Sequence, residues 1–321
     1  MTRPTSATTV SRPDLAAVVY EYALEESQSR FIGTQVLPIF ETAEQSGEYP
    51  SIPIEAMLKM PDTKRAPRGK YNRGDWNFEM KNFSCKENGW EEPLDDSELK
   101  LYRRFFDAEA VATRRAVDII LRAQELRIKN MLFNTGNFSA HGVTNEWDDY
   151  SNATPLTDIA TGAKALRNAT GLNPNCLVIG RSVFDNLCLC AQIASKAQYT
   201  TPIELMPFEQ KKLVIATALG IEKLLVGDAV YDGAKKGQAF SATDIWGTEY
   251  GLLCRVATSM EELREPCLGR TFLWSEDSDT PLTVEQYRDE TTRSEVYRAR
   301  QYTAEQFVFT GAGYLLSNLT T

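Results

Sequence analysis

The side chains able to do chemistry are few and poorly grouped. The chain carries one histidine, His141. That excludes metal centres built on several imidazoles and leaves at most one imidazole for acid–base work. His141 falls in the turn-rich run Asn137-Phe-Ser-Ala-His-Gly142, which predicts a surface loop. Adjacent carboxylates occur at Asp95/Asp96, Asp148/Asp149 and Glu261/Glu262. Paired acids can hold a cation or cleave a glycoside, but acids adjacent in sequence on a cap or loop are ordinarily solvated. Among the six cysteines the one close pair, Cys188-Leu-Cys190, has neither redox nor zinc-knuckle spacing, so all six are predicted to be buried thiols. Gly69-Lys70 runs into Tyr71, and Gly311-Ala-Gly313 into Tyr314, so neither nucleotide fingerprint is complete. A G-x-S-x-G nucleophile elbow is also absent. The sequence therefore predicts no catalytic residue, no cofactor and no metal. An α/β enzyme using His141 as its base survives only as an alternative.

One concentration of charge stands out. Lys64, Arg65, Arg68, Lys70 and Arg73 lie within ten positions that contain no acid. They do so in a chain whose 44 Asp and Glu outweigh 35 Lys and Arg, for a net charge of -9. Such a cluster reads as a solvated loop, as a nucleic-acid patch with Tyr71 and Trp76 available for stacking, or as a contact with acids on a neighbouring subunit. An acidic chain repels nucleic acid as a whole and the basic run is short, so the neighbouring subunit comes first. Candidate partners are Asp95 and Asp96, Glu276, Asp277 and Asp279, and Asp289 and Glu290.

The elements that must position this cluster are legible in outline. Residues 1–40 read as an arm, with a helix over Ala16–Leu24 and an extended piece over Phe31–Phe40 interrupted by Gly33 and Pro38. Residues 41–93 are polar and turn-rich. Extended pieces over Tyr49–Ile54 and Trp76–Cys85 flank the basic run, predicting a long two-stranded excursion without a core of its own. From Leu94 to Thr135 there is neither glycine nor proline. This predicts one helix of about 60 Å, opened by Asp95-x-x-Glu98 and closed by a left-handed Gly136, within a region 94–140. Its apolar stripe runs through Tyr102, Phe105, Ala112, Ala116, Ile119, Ala123, Leu126 and Phe133 and is expected to face the C-terminal strands. A compact chain of this length is only about 50 Å across, so the subunit cannot be a simple sphere.

Residues 141–275 have ordinary α/β texture: a helix from Thr154-Pro155 to Thr170-Gly171, a buried strand over Cys176–Ile179, a helix over Ser182–Ala194 and a strand over Lys223–Val226. Residues 276–321 read as long antiparallel strands around Arg288-Asp-Glu-Thr291. No run reaches the roughly 18 apolar residues of a membrane span. The Thr-, Ser- and Pro-rich start, Met1–Asp14, lacks the apolar stretch of a secretory signal. A soluble protein of a reducing cytoplasm is expected.

This order of arm, hairpin, long helix, α/β domain and returning strands resembles the major capsid proteins of tailed bacteriophages, the Hong Kong 97 type. Several stretches are similar to that family's segments: Cys85-Lys-Glu-Asn-Gly-Trp-Glu-Glu-Pro-Leu-Asp-Asp96, Trp147-Asp-Asp-Tyr-Ser-Asn-Ala-Thr-Pro155, Gly171-Leu-Asn-Pro-Asn-Cys-Leu-Val-Ile-Gly180, Asp244-Ile-Trp-Gly247 and Val284-Glu-Gln-Tyr-Arg-Asp-Glu-Thr-Thr-Arg-Ser294. The resemblance implies an α+β fold with an N-terminal arm (1–40), an extended β-hairpin loop (41–93), a spine helix of the peripheral domain (94–140), an axial domain (141–275) and peripheral C-terminal strands (276–321). It further implies a virion shell subunit assembled in the host cytoplasm as hexamers and pentamers around double-stranded DNA. Its implied partners are a separate scaffolding protein, a portal and an optional decoration protein, with no membrane. An encapsulin-like nanocompartment shell is the nearest alternative. A coreless hairpin supports an assembly independently, since neighbours must cover what a monomer exposes.

Overall fold

The computed structural model describes residues 30–75, 77–102, 106–197, 205–259, 263–276 and 282–320. The expected helix over Ala16–Leu24, together with Trp76, Phe105, Glu261, Glu262, Asp277 and Asp279, lies outside the described residues. The chain enters through helix α1 (Gly33–Val36), strands β1 (Ile39–Thr42) and β2 (Ser46–Ser51), helix α2 (Ile54–Leu58), and strands β3 (Glu79–Ser84) and β4 (Lys86–Asp95). Helices α3 (Asp96–Tyr102) and α4 (Ala108–Leu132) follow, then β5 (Ala140–Gly142) and helix α5 (Pro155–Thr170). Next come β6 (Cys176–Gly180), α6 (Arg181–Leu189), α7 (Ala191–Ala197), α8 (Phe208–Leu219) and β7 (Lys223–Gly227). The chain ends with β8 (Val230–Asp232), β9 (Ala242–Asp244), β10 (Gly251–Cys254), β11 (Gly269–Trp274), β12 (Thr283–Asp289), β13 (Ser294–Phe307) and β14 (Gly313–Ser317).

The long helix is two helices, which corrects the expectation of one. Leu94 and Asp95 continue β4, paired with Glu295 and Ser294 of β13. Asp95 accepts the Ser97 amide at 2.8 Å and so caps α3. Asp107 then takes extended backbone (φ -79°, ψ 91°) and accepts the Ala110 amide at 3.2 Å, which starts α4. An aspartate followed by Ala-Glu-Ala is a second N-cap signal inside a stretch free of Gly and Pro. The 25 residues of α4 span about 38 Å. At its end Phe133 is the C-cap and Gly136 is not among the left-handed glycines, so the predicted glycine cap is not used. The buried stripe is Ala112, Ala116, Ile120, Ile128 and Leu132, while Ala123 faces solvent. Ala116 and Ile120 pack on Ala299 of β13, so the C-terminal strands are what the upper part of α4 faces.

Two five-stranded sheets organise the rest. The first runs β1-β11-β13-β12 with β4 paired to β13; the second runs β5-β14-β10-β6-β7. They cross the expected boundary at residue 275 in both directions, since β11 joins the first sheet and β14 the second. In the second sheet side chains alternate as a pleated strand requires. Leu177 and Ile179 join the cluster under α5 to α8, whereas Cys176 and Val178 face the cluster containing Ile128, Leu132 and Trp246. α5 is bounded as predicted, with Pro155 in its first turn and Gly171 left-handed at φ 69°. The predicted helix over Ser182–Ala194 is interrupted at Cys190, whose extended backbone separates α6 from α7.

The Asp244-Ile-Trp-Gly247 phrase has a packing reason. Trp246 is 1% exposed and lies against Gly227, where an added Cβ would sit 1.9 Å from the indole Cδ1. Gly227→Ala is expected to displace the indole and destabilise the fold by about 1–3 kcal/mol or more, read as a lowered urea midpoint.

The hairpin is present, with β2 and β3 paired antiparallel from Ser46↔Ser84 to Ser51↔Glu79. Its root is an aromatic cluster: Phe83 stacks on Phe272 at 4.6 Å, and Tyr49 and Phe40 approach the same ring at 5.5 and 5.7 Å. An arm over residues 1 to about 40 predicts contact with a neighbouring subunit, but the stretch from residue 31 packs on its own chain, because its apolar residues find a core there. Val36 and Leu37 are fully buried, and β1 runs parallel to β11.

Candidate inter-subunit surfaces

The five cations of the basic run sit on an exposed loop between β2 and β3, far from any core. Among the described residues, the hydrogen bonds of the basic run stay within the loop. Asp62 accepts the Lys64 amide at 2.9 Å, Arg65 donates to the Gly69 carbonyl at 2.7 Å, and the Arg65 guanidinium lies 4.6 Å over the Tyr71 ring. Arg68 adopts φ 65°, a left-handed turn conformation. Among the described residues, Lys64, Arg65, Arg68, Lys70 and Arg73 make no ion pair, and their side chains point to water. Exposed apolar residues share the same excursion: Met60 is 91% exposed, and Met57, Leu58 and Phe78 are exposed as well.

The acidic candidates divide by what already engages them. Asp96 is clamped through both oxygens by Arg288, which also reaches Glu290 and Glu295 at 3.5 and 3.4 Å. That guanidinium holds the Asp96 carboxyl below its usual range. Asp289 accepts the Thr291 amide and the Thr292 hydroxyl, both at 2.8 Å, and Asp95 accepts from Ser97; these bonds depress both pKa values. Among the described residues neither Asp95 nor Asp289 makes an ion pair, although Arg293 acts on Asp95 from further off. With Glu91 and Glu98 they line a groove of about 410 Å³ floored by Pro93, Tyr287 and Val296. Glu276 is exposed just past β11 and away from this groove.

A charge ladder on the same sheet face escaped sequence reading. Glu285 accepts from Arg298 and from Arg300 (2.8 Å), and Arg298 also approaches Glu91 at 3.6 Å. The two guanidiniums lower Glu285 to about 2. Its signal was the alternation Arg298, Arg300 opposite Glu285, which becomes readable only once the strand register is known.

The chemistry-bearing residues do not converge. His141 is exposed and stacks flat on Tyr314 at 4.1 Å, whereas all six cysteines are reduced and buried. Burial pushes the thiols of Cys85, Cys188 and Cys190 up to about 11, which removes thiolate reactivity at neutral pH. Among the described residues no group of His, Cys, Asp and Glu is arranged to hold a metal, and no helix is long and apolar enough to cross a membrane.

No family model matches the chain. The major capsid protein of Burkholderia phage BcepMu is 24% identical over 315 residues, covering 94% of this chain and 95% of that protein. A phage-related protein of Bordetella bronchiseptica superposes with a TM-score of 0.65 at 21% identity, over 92% of this chain and 96% of that one. The capsid of Myoviridae phage XM1 gives 0.54 at 13% identity, over 94% and 95% of the two chains. Solved shells of an encapsulin and a virus-like particle share the fold. The chain therefore has the α+β fold of Hong Kong 97-type phage capsid proteins. Over nearly its whole length it is similar to the major capsid protein of a Burkholderia phage.

Proposed function

We propose that copies of this chain associate as hexamers and pentamers into a closed icosahedral phage head around double-stranded DNA, assembling in the host cytoplasm. A separate scaffolding protein, a portal and an optional decoration protein are its partners, and its role is structural, without catalysis. Residues 1–40 serve as arm, 41–93 as extended loop, 94–140 as spine, 141–275 as axial domain and 276–321 as peripheral strands, except that β11 joins the peripheral sheet and β14 the axial sheet. The observation that carries this is the extended loop. It carries exposed methionines, an exposed Phe78 and five exposed cations, and an aromatic cluster on Phe272 roots it to the body.

In this reading the basic tip of one copy meets the groove of Glu91, Asp95, Glu98 and Asp289 on the next. Asp96, already clamped by Arg288, contributes least. Glu290 and Glu276, with Asp277 and Asp279, are the weaker candidates. Each exposed pair contributes little, so single substitutions act mildly. Reversing Arg65, Arg68 and Arg73 together to glutamate is expected to lower the yield and salt tolerance of shells formed without DNA. Equal yields and equal salt tolerance sink the inter-subunit contact, and a defect confined to genome retention assigns the cluster to DNA. An encapsulin-like compartment is the second reading, since those shells share the fold. Electron microscopy of purified particles and analysis of their contents separates the two: nucleic acid supports the head, enclosed protein the compartment.

A further inference from the structure

Glu125 lies inside α4 yet is 2% exposed. Its carboxylate is met by three N–H groups from outside its own helix: the Ile32 amide at 2.9 Å, the Gly33 amide at 2.7 Å and the Trp246 indole at 2.6 Å. Two of these donors belong to the arm and one to the loop after β9. The approach is close enough that a Cβ on Gly33 would fall 2.6 Å from the Glu125 Oε2 and 2.7 Å from the Ile128 Cδ1. One buried acid thus joins the arm, α4 and the loop after β9.

Among the described residues no charged side chain pairs with Glu125. Arg30, where the arm begins, approaches Asp228 at 3.9 Å, and Asp228 also meets Arg181 at 3.4 Å. On α4, Arg122 pairs with Asp118 one turn before Glu125, and Lys129 follows one turn after. Beyond the tryptophan, the neighbouring Glu249 raises the pKa of Tyr250. What acts on Glu125 itself is its burial, which raises its pKa, and the three N–H groups, which offset part of that rise.

We propose that Glu125 is a proton-dependent latch on the arm, so that the segment Ile32–Leu37 opens less often when Glu125 is protonated and more often when it is ionised. The reason is hydration. Opening returns the carboxyl to water, which rewards the charged form far more than the neutral one. The docked state has the higher pKa and so binds more protons. Docking therefore tightens as pH falls through the docked pKa and levels off below the ordinary glutamate value of about 4.3. The arm stays seated at neutral pH because Val36 and Leu37 are fully buried and β1 pairs with β11. What changes is how often the segment opens. This device goes beyond the shell reading and does not depend on it.

Hydrogen exchange at amides 32–37 of the full chain tests it, with rates corrected for the intrinsic pH dependence between about pH 4.5 and 8. Protection in the parent is expected to rise as pH falls, by about tenfold for each unit separating the docked and open pKa values. Glu125→Gln is expected to flatten the profile and Asp228→Asn to preserve it. Trp246→Phe removes a donor that favours the ionised form, so the rise moves to higher pH. A flat parent profile, an unchanged slope in E125Q, or loss of the slope in D228N overturns the latch. If E125Q fails to fold, the W246F profile decides alone, and an unmoved midpoint overturns it.

Discussion

Proline at Ala116 is expected to abolish particle formation and to cost the fold about 3 kcal/mol or more, whereas proline at Ala108 changes stability by less than about 1 kcal/mol. The two positions lie on the same predicted helix but not on the same part of the real one. Ala116 is 1% exposed in mid-helix and packs with Ile120 against Ala299 of β13. A proline ring there deletes the bond to the carbonyl four residues earlier and pushes against that carbonyl, at the contact that binds α4 to β13. Ala108 is the first residue of α4, where no amide bond within the helix is lost and proline's φ is already suitable. Asp107 before it is already extended, which a following proline requires. Urea titrations of both variants, with electron microscopy of their particles, check the contrast. Equal destabilisation at the two positions contradicts the break at Asp107, and normal shells from A116P contradict the spine's role in assembly.

What could be read from the sequence follows how local each determinant is. α5 was legible to the residue because Pro155 and Gly171 act within one turn of its ends. The hairpin was legible because two extended pieces bracket a run that no core could accept, and the basic tip is exposed for the same reason. The break in the spine was written in Asp107-Ala-Glu-Ala, but an aspartate without glycine or proline beside it is equally at home in a helix interior. The acidic partners were harder to sort. Asp95 and Asp96 are adjacent, yet only Asp96 meets Arg288, a residue 192 positions away on β12, brought close because β4 and β12 both pair with β13. Glu125 was not legible at all. Its neighbours in sequence are those of a solvent-facing helix, and its three donors come from segments 92, 93 and 121 positions away. The destination of β14 was hidden likewise, because sheet membership is decided by the partner strand and not by the strand's own pattern.

Phe272→Ala is expected to detach the extended loop while leaving the axial sheet folded, at a cost of about 3–5 kcal/mol. Phe272 is 1% exposed and forms the floor on which Phe83, Tyr49 and Phe40 meet, so one ring holds both strands of the hairpin and the first strand of the body. The polar links at the root do not replace it: the Tyr49 hydroxyl reaches the Phe307 carbonyl at 3.3 Å, and Lys81 reaches the Val308 carbonyl at 2.6 Å. Two hydrogen bonds contribute roughly 0.5–1.5 kcal/mol each, less than the lost ring. The cluster around Phe184, Leu187 and Leu253 shares no residue with this root, so the axial core should persist. The outcome distinguishes a loop that must be held at a fixed angle from one that docks wherever a neighbour presents a surface. In the first case F272A yields a soluble chain with native-like far-ultraviolet circular dichroism, rapid proteolysis between residues 52 and 78, and no particles. Full assembly with a protease-sensitive loop instead supports the second case and removes the aromatic root from the assembly mechanism.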